Sequence, residues 1–291
     1  MVFEVEITQD IPYGSAFVDY NEGSGPFAER QLLLDMYAPV CAEGGRPALI
    51  LAFGGAFHRG AKDNDVRPED GPKNTNIAEY CRRFAARGYV CFSIEYRLTQ
   101  SDPHPGFTPT LGPESVPTSR IDVVRKILDL PPATSEMLRC AQEAAIDDIT
   151  TAYRFVVGEA VAFGIGPERV AIGGFSAGGR MASTAALAEA ISPAAVVALS
   201  GVCAPTIVDS FHASGRRRLP FFLAWGEDDL DYVIPGAETM VSRFDVASHP
   251  YHACRLPGQT HFYPAECEVE CSAGPRASLE HAIEVFLDAH L

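Results

Sequence analysis

The chain holds 291 residues, 47% hydrophobic and 21% charged, a globular composition with enough apolar matter for a core that needs no metal or disulfide staple. Its 38 acidic residues outnumber 23 basic ones, for a formal charge of −15. That balance argues against a nucleic-acid partner, because holding a phosphate backbone takes clustered Lys and Arg.

The N-terminal stretch MVFEVEITQDIPYG has no basic lead and no apolar run, and Glu4, Glu6 and Asp10 interrupt it. No signal peptide is expected there. Gln31 to Tyr37, followed by Ala38-Pro39, reads as an early strand, antiparallel at a sheet edge. Three short apolar runs ended by glycine or a turn then read as buried strands: Ala48 to Phe53, Tyr89 to Tyr96 and Val170 to Gly173. Two more follow at Ala195 to Leu199 and Pro220 to Trp225, and YHACRL is a further candidate. Near-continuous hydrophobicity, rather than alternation, marks strands covered on both faces, as in a parallel sheet.

Helical patterns lie between these strands. Asn76 to Arg87 opens on an Asn able to cap it and ends at Gly88. Ala141 to Ala162, Ala177 to Ala190 and Ser278 to His290 follow. Strand–helix alternation of this kind predicts a doubly wound α/β sheet, here as one domain over residues 1–291. A proline-rich insertion from Thr99 to about residue 140, with the helical segment SRIDVVRKILDL inside it, breaks the rhythm. A loop this long in a compact domain is usually functional, and it reads as a cap or lid. Its Phe107, Leu111 and Val116 would give that lid an apolar rim. The basic run Arg216-Arg217-Arg218 leads straight into the Pro220 strand and reads as a solvated loop end. The longest apolar stretches, such as Pro193 to Val202, fall well short of a membrane span.

Eight cysteines are scattered along the chain. Cys81, Cys91, Cys203 and Cys254 sit in apolar surroundings, where a thiol behaves as a small hydrophobe. Cys267 and Cys271 are four apart, with no second Cys/His pair to complete a zinc set. A reduced, cytoplasmic protein with no metal is the expectation, a local Cys267–Cys271 disulfide being the alternative.

The strongest chemical signal is Gly174-Phe175-Ser176-Ala177-Gly178-Gly179, between the strand VAIG and a helix. A G-x-S-x-G turn in that setting forces the serine hydroxyl outward above a helix N-terminus. A serine nucleophile needs a base, and on such a fold the base follows the acid in chain order. His261, in Pro257-Gly258-Gln259-Thr260-His261, has the required strand-to-loop setting. The acid should follow the preceding strand, where Glu227, Asp228, Asp229 and Asp231 crowd together. Asp229 is favoured by its offset from Gly226, and Asp228 and Asp231 remain rivals. Phe53-Gly54-Gly55-Ala56-Phe57 follows another strand. The amides of Gly54, Gly55 and Ala177 are the candidate donors to an oxyanion. Phe57, Phe175 and Phe107 are candidate substrate contacts.

Five motifs in fixed order, LLLDMYAP, FGGAF, IEYRL, GFSAGG and GQTHF, resemble the esterase/lipase branch of the α/β-hydrolases. The hormone-sensitive-lipase-like and feruloyl or acetyl esterase groups look nearest, and the likeness runs from about Leu32 to the C-terminus. The glycine turn departs from the family's HGGG, with Phe53 in the histidine's place and Ala56 last. Phe175 stands where the lipase-like branch usually has Asp. The resemblance implies about eight strands, and hydrolysis of small carboxylic esters through an acyl-enzyme, without a cofactor. A formamidase or amidase on the same fold, or a binding homologue that has lost catalysis, are the alternatives. The retained His261 speaks against the latter. Acyl and alcohol groups, and oligomeric state, are not legible in the sequence.

Overall fold

The runs read as buried strands pair side by side in the middle of one ten-stranded sheet. The computed structural model describes residues 2–19, 28–40, 44–64, 74–103, 111, 118–272 and 276–291. Its strands are β1 (Val5–Val18), β2 (Ala28–Pro39), β3 (Arg46–Ala52), β4 (Val90–Ile94) and β5 (Ile165–Phe175). They continue as β6 (Val196–Leu199), β7 (Phe221–Gly226), β8 (Tyr251–Leu256), β9 (Glu268–Cys271) and β10 (Ala277–Ser278). The spatial order is β1-β2-β4-β3-β5-β6-β7-β8-β9-β10. From β4 to β8 every pair is parallel, while β1–β2, β2–β4, β8–β9 and β9–β10 are antiparallel.

Burial explains the parallel centre. All of β4, β6 and β7 is buried, as a sheet covered on both faces requires. The helices are α1 (Ile77–Ala85), α2 (Ser119–Ile127), α3 (Ser135–Gly158), α4 (Ala177–Ala188), α5 (Pro205–Ala213), α6 (Val233–Ala247) and α7 (Leu279–His290). On one face α1 packs on β4, and Arg83 and Arg87 reach across to Glu280 of α7 at 3.0 and 3.1 Å. On the other, α3, α4, α5 and α6 succeed one another. Asn76 caps α1, its Oδ1 accepting from the Glu79 amide at 2.6 Å.

The expected doubly wound α/β sheet is therefore present, with ten strands among the described residues rather than about eight. The surplus lies at the edges. β1 lies outside β2, its outer residues largely exposed, and β9 and β10 extend the far side.

The cysteine reading needs correction. Cys254 is bonded to Cys271, so neither is a free thiol and Cys271 does not pair with Cys267. Cys254 and Cys271 are direct register partners across β8 and β9, with Cα atoms 3.9 Å apart. Cys267 is four residues from Cys271 along extended chain, about 13 Å at ~3.3 Å per residue, and is buried as a thiol. Among the described residues no helix is long and apolar enough to cross a membrane.

The chain leaves β3 for β4 on one side and returns to β5 on the other, so β3 and β5 are neighbours whose connections diverge. In a parallel sheet that arrangement opens a crevice at the carboxyl ends of the two strands.

Candidate active site

Ser176 follows β5 and Gly54 lies just past β3, so the two sides of that crevice carry the serine and the glycine turn. Ser176 sits at φ 54°, ψ −114°, left-handed backbone that a β-substituted residue adopts only when its surroundings impose it. They do so by close packing. A Cβ on Gly178 would lie 2.0 Å from the Ala52 carbonyl oxygen, so α4 can start against β3 only with glycine there.

His261 Nε2 lies 2.8 Å from Ser176 Oγ, and its Nδ1 lies 2.6 Å from Asp229 Oδ1. The Asp229 carboxylate is out of contact with solvent, whereas Asp228 and Asp231 are exposed. Asp231 instead accepts from Ser119 Oγ at 3.0 Å. Asp229 is fixed on both oxygens: Oδ2 accepts from Ser200 Oγ at 2.6 Å and the Gly226 amide at 3.0 Å, and Oδ1 from the Leu230 amide at 2.7 Å. Burial pushes this carboxyl up, but the bonds from His261, Ser200 and Leu230 outweigh it and hold the pKa below the usual value. The acid therefore stays ionised and holds Nδ1–H toward itself, leaving Nε2 to face the serine.

Sequence reasoning missed Ser200 and Tyr263. Ser200 Oγ lies 2.8 Å from the Tyr263 hydroxyl, so the Asp229 brace extends into the core. The available signal was position, since Ser200 follows β6 directly at the carboxyl edge.

The glycine turn is held with Phe53, not a histidine, at its head. Phe53 stacks on Tyr96, centroids 4.3 Å apart, and the Tyr96 hydroxyl donates to the Phe53 carbonyl at 3.0 Å. Gly55 has φ +122°, and a Cβ there would meet the Arg59 carbonyl oxygen at 1.9 Å. His58 takes over part of the bracing. Its Nδ1 lies 2.6 Å from the Ala56 carbonyl and its Nε2 accepts from Arg125 Nη1 at 2.9 Å. Burial and the Arg125 charge lower the His58 pKa, keeping the neutral ring this pair of bonds needs.

Arg125 belongs to α2, which lies over the site. Ile121 and Val124 of α2 pack on Ala56, and Arg120 sits above the Phe262 ring at 5.1 Å. Beneath it are two small pockets that meet at Ser176. One is lined by Gly54, Gly55, Phe175, His261 and Phe262, the other by Phe57, Gln142, Ala177, Arg180 and Tyr232. Phe175 packs against His261 with centroids 5.2 Å apart, and Phe57 is buried edge-on to Tyr96. Leu111 is buried, its amide donating to Glu143 at 2.9 Å. Phe107 and Val116 lie outside the described residues.

Solved structures share this architecture. An esterase from the Planctomycetes species Thermogutta terrifontis, with propionate bound, aligns at a TM-score of 0.57 and 16% identity, covering 89% of this chain and 84% of that one. The same esterase phosphonylated by cyclosarin aligns over 99% and 91%, at TM-score 0.57 and 16% identity. Esterase B of Lactobacillus rhamnosis aligns at 0.53 and 17%, over 88% and 76%. The fold is that of the α/β-hydrolases. Residues 133–254 also match the model of the phospholipase/carboxylesterase family, a span that holds Ser176 and Asp229 but stops short of His261. No curated protein sequence matches the chain.

Proposed function

We propose that this α/β-hydrolase is a serine carboxylesterase, with Ser176 as nucleophile, His261 as general base and acid, and Asp229 as the orienting carboxylate. The observation that carries the reading is the unbroken chain Ser176 Oγ–His261 Nε2, His261 Nδ1–Asp229 Oδ1 at 2.8 and 2.6 Å, on a turn that exposes the serine to a pocket. In the reaction His261 Nε2 takes the hydroxyl proton as Oγ attacks the ester carbonyl carbon. The oxyanion then formed meets the amides of Gly54, Gly55 and Ala177, the last at the N-terminus of α4, where the helix field also favours negative charge. His261 returns the proton to the leaving alkoxide, and water repeats the cycle on the acyl-Ser176 ester. The esterase-named relatives and the carboxylesterase family match support an ester as substrate. The whole chain acts as one domain, with the Thr99–140 segment as a lid that excludes water once substrate is bound, α2 being the described helix of it that lies over the site. Phe175 in the elbow favours the feruloyl and acetyl esterase side over the lipase-like group.

A panel of p-nitrophenyl esters of increasing acyl length, run beside formylkynurenine, tests the assignment. Hydrolysis of the esters is expected. Turnover of formylkynurenine alone would replace esterase with formamidase.

A further inference from the structure

The turn that carries the candidate oxyanion donors has a shape its own backbone resists. After Gly55 at φ +122°, Ala56 and Phe57 stand at φ 55° and 59°, two successive non-glycine residues in left-handed backbone. Such a conformation persists only where neighbours hold it. Thr99 ties the outer end, its amide and its hydroxyl both donating to the Phe57 carbonyl, at 2.8 and 2.9 Å. At the inner end His58 Nδ1 lies 2.6 Å from the Ala56 carbonyl. That bond needs the ring proton on Nδ1, and a second residue puts it there.

Arg125 Nη1 lies 2.9 Å from His58 Nε2. A guanidinium donates and never accepts, so Nε2 must offer its lone pair and Nδ1 must carry the hydrogen. In the other tautomer two N–H groups would face each other, and the Ala56 carbonyl would face a lone pair. Arg125 is itself fixed, almost wholly buried and with its Nε donating to the Pro131 carbonyl at 2.6 Å. Apolar contacts join the same two parts of the molecule. Ile121 and Val124 of α2, with Leu138, pack on Ala56 in a cluster apart from the main core. The Ala56 methyl, which a glycine would lack, gives α2 its seat. The shape of the turn therefore depends on the helix above it.

We infer, on the basis of the hydrolase function proposed above, that Arg125 is a positioning residue for the reaction: acting through His58, it sets the turn that aims the Gly54 and Gly55 amides at the oxyanion, so that the seated α2 completes the site. The chain of bonds from Ser176 through His261 to Asp229 does not pass through Arg125. Its loss should leave proton transfer intact and weaken what the amides stabilise, the charge that develops in the transition state.

The test measures kcat and KM on p-nitrophenyl acetate, and Ki for a short alkyl trifluoromethyl ketone, which adds to a serine nucleophile and places an oxyanion where the ester's would form. Arg125→Met should lower kcat by about 10- to 100-fold, less than outright loss of an oxyanion donor, with KM within about threefold. The ketone's Ki should rise by the factor by which kcat/KM falls, a match that general damage to the fold does not produce. His58→Ala should behave alike, and the double variant should be no worse than the worse single, since both act on one carbonyl. His58→Asn, whose side-chain N–H takes the place of Nδ1, should recover most of the loss, with or without Arg125. Additive losses in the double variant, a kcat loss with unchanged Ki, or wild-type kcat in Arg125→Met overturn the assignment and leave the esterase reading standing. If Arg125→Met does not fold, Arg125→Lys decides. One ammonium cannot span the Pro131 carbonyl and His58 as the fork does, so matched losses in kcat and ketone affinity are expected, and wild-type values overturn the assignment. If the wild-type protein turns over no ester, fluorine NMR of the ketone separates the two claims. Weaker binding to Arg125→Met than to wild type then supports the positioning role while the esterase reading fails, and equal or absent binding overturns it.

Discussion

Asp229 is buried and bonded on both oxygens, while Asp231, two residues on, is exposed and bonded to a surface serine. The amide of asparagine at 229 would present either an oxygen or a donor to His261, and the donor choice inverts the ring tautomer that the serine needs. Asp229→Asn should therefore lower kcat by about 10⁴, against a change under about threefold for Asp231→Asn, by ordinary surface tolerance. Steady-state kinetics on one ester decide it, and a severe Asp231→Asn with a mild Asp229→Asn would reverse the placement. The offset from Gly226 favoured Asp229 but left Asp228 and Asp231 as rivals, because four carboxylates in one loop look alike until burial separates them. Ser200 was less legible still. Its bond to Asp229 spans 29 residues and leaves no mark in either local segment.

Elements were legible in proportion to their burial. β4, β6 and β7 are buried at every residue, so their apolar runs mark them plainly. β1 exposes most of its residues, so a strand of 14 residues carried little apolar signal. The same holds for α6, which buries only Val233, Ala237, Met240 and Phe244. The Cys254–Cys271 bond depends on β9 pairing with β8, a long-range fact that residue spacing does not contain. The YRL motif shows what a conspicuous sequence can be for. Arg97, after β4, forks onto Asp148 of α3 at 2.7 and 3.0 Å, both side chains almost wholly buried, and also donates to the Ala144 and Phe17 carbonyls. Arg97→Met would strand the Asp148 charge in the core, for a loss of about 3–5 kcal/mol in urea unfolding, and adding Asp148→Leu should restore most of it. A loss below ~1 kcal/mol from Arg97→Met would show that the pair is not holding α3 to the sheet.

At the scale of the molecule, one buried histidine ties stability to pH. His249 stacks on Phe244 at 4.2 Å, lies 2.6 Å from the Leu219 carbonyl and meets His212 at 3.1 Å. Burial, with the charges of His212 and Arg218, pushes its pKa down to about 4 against the Leu219 bond. The unfolded chain, with an ordinary histidine near 6.5, then binds the proton first. Stability from this site is complete above about pH 6.5 and is lost as pH falls toward 4, on the order of 3 kcal/mol in all. Denaturation midpoints across that window should fall in the native protein and fall less in His249→Asn; parallel slopes would remove His249 as the cause. The same sheet that buries His249 carries four loops to one edge. The glycine turn leaves β3, the serine β5, the acid β7 and the histidine β8. The central claim is that this convergence makes Ser176 a nucleophile. The most direct measurement is reaction with a fluorophosphonate followed by peptide mass spectrometry. One adduct per chain on Ser176 is predicted, absent in Ser176→Ala, with ester turnover down by about 10⁴- to 10⁶-fold in that variant. An adduct on another residue, or a Ser176→Ala protein keeping more than about a tenth of its activity on the scale of those losses, would contradict the claim.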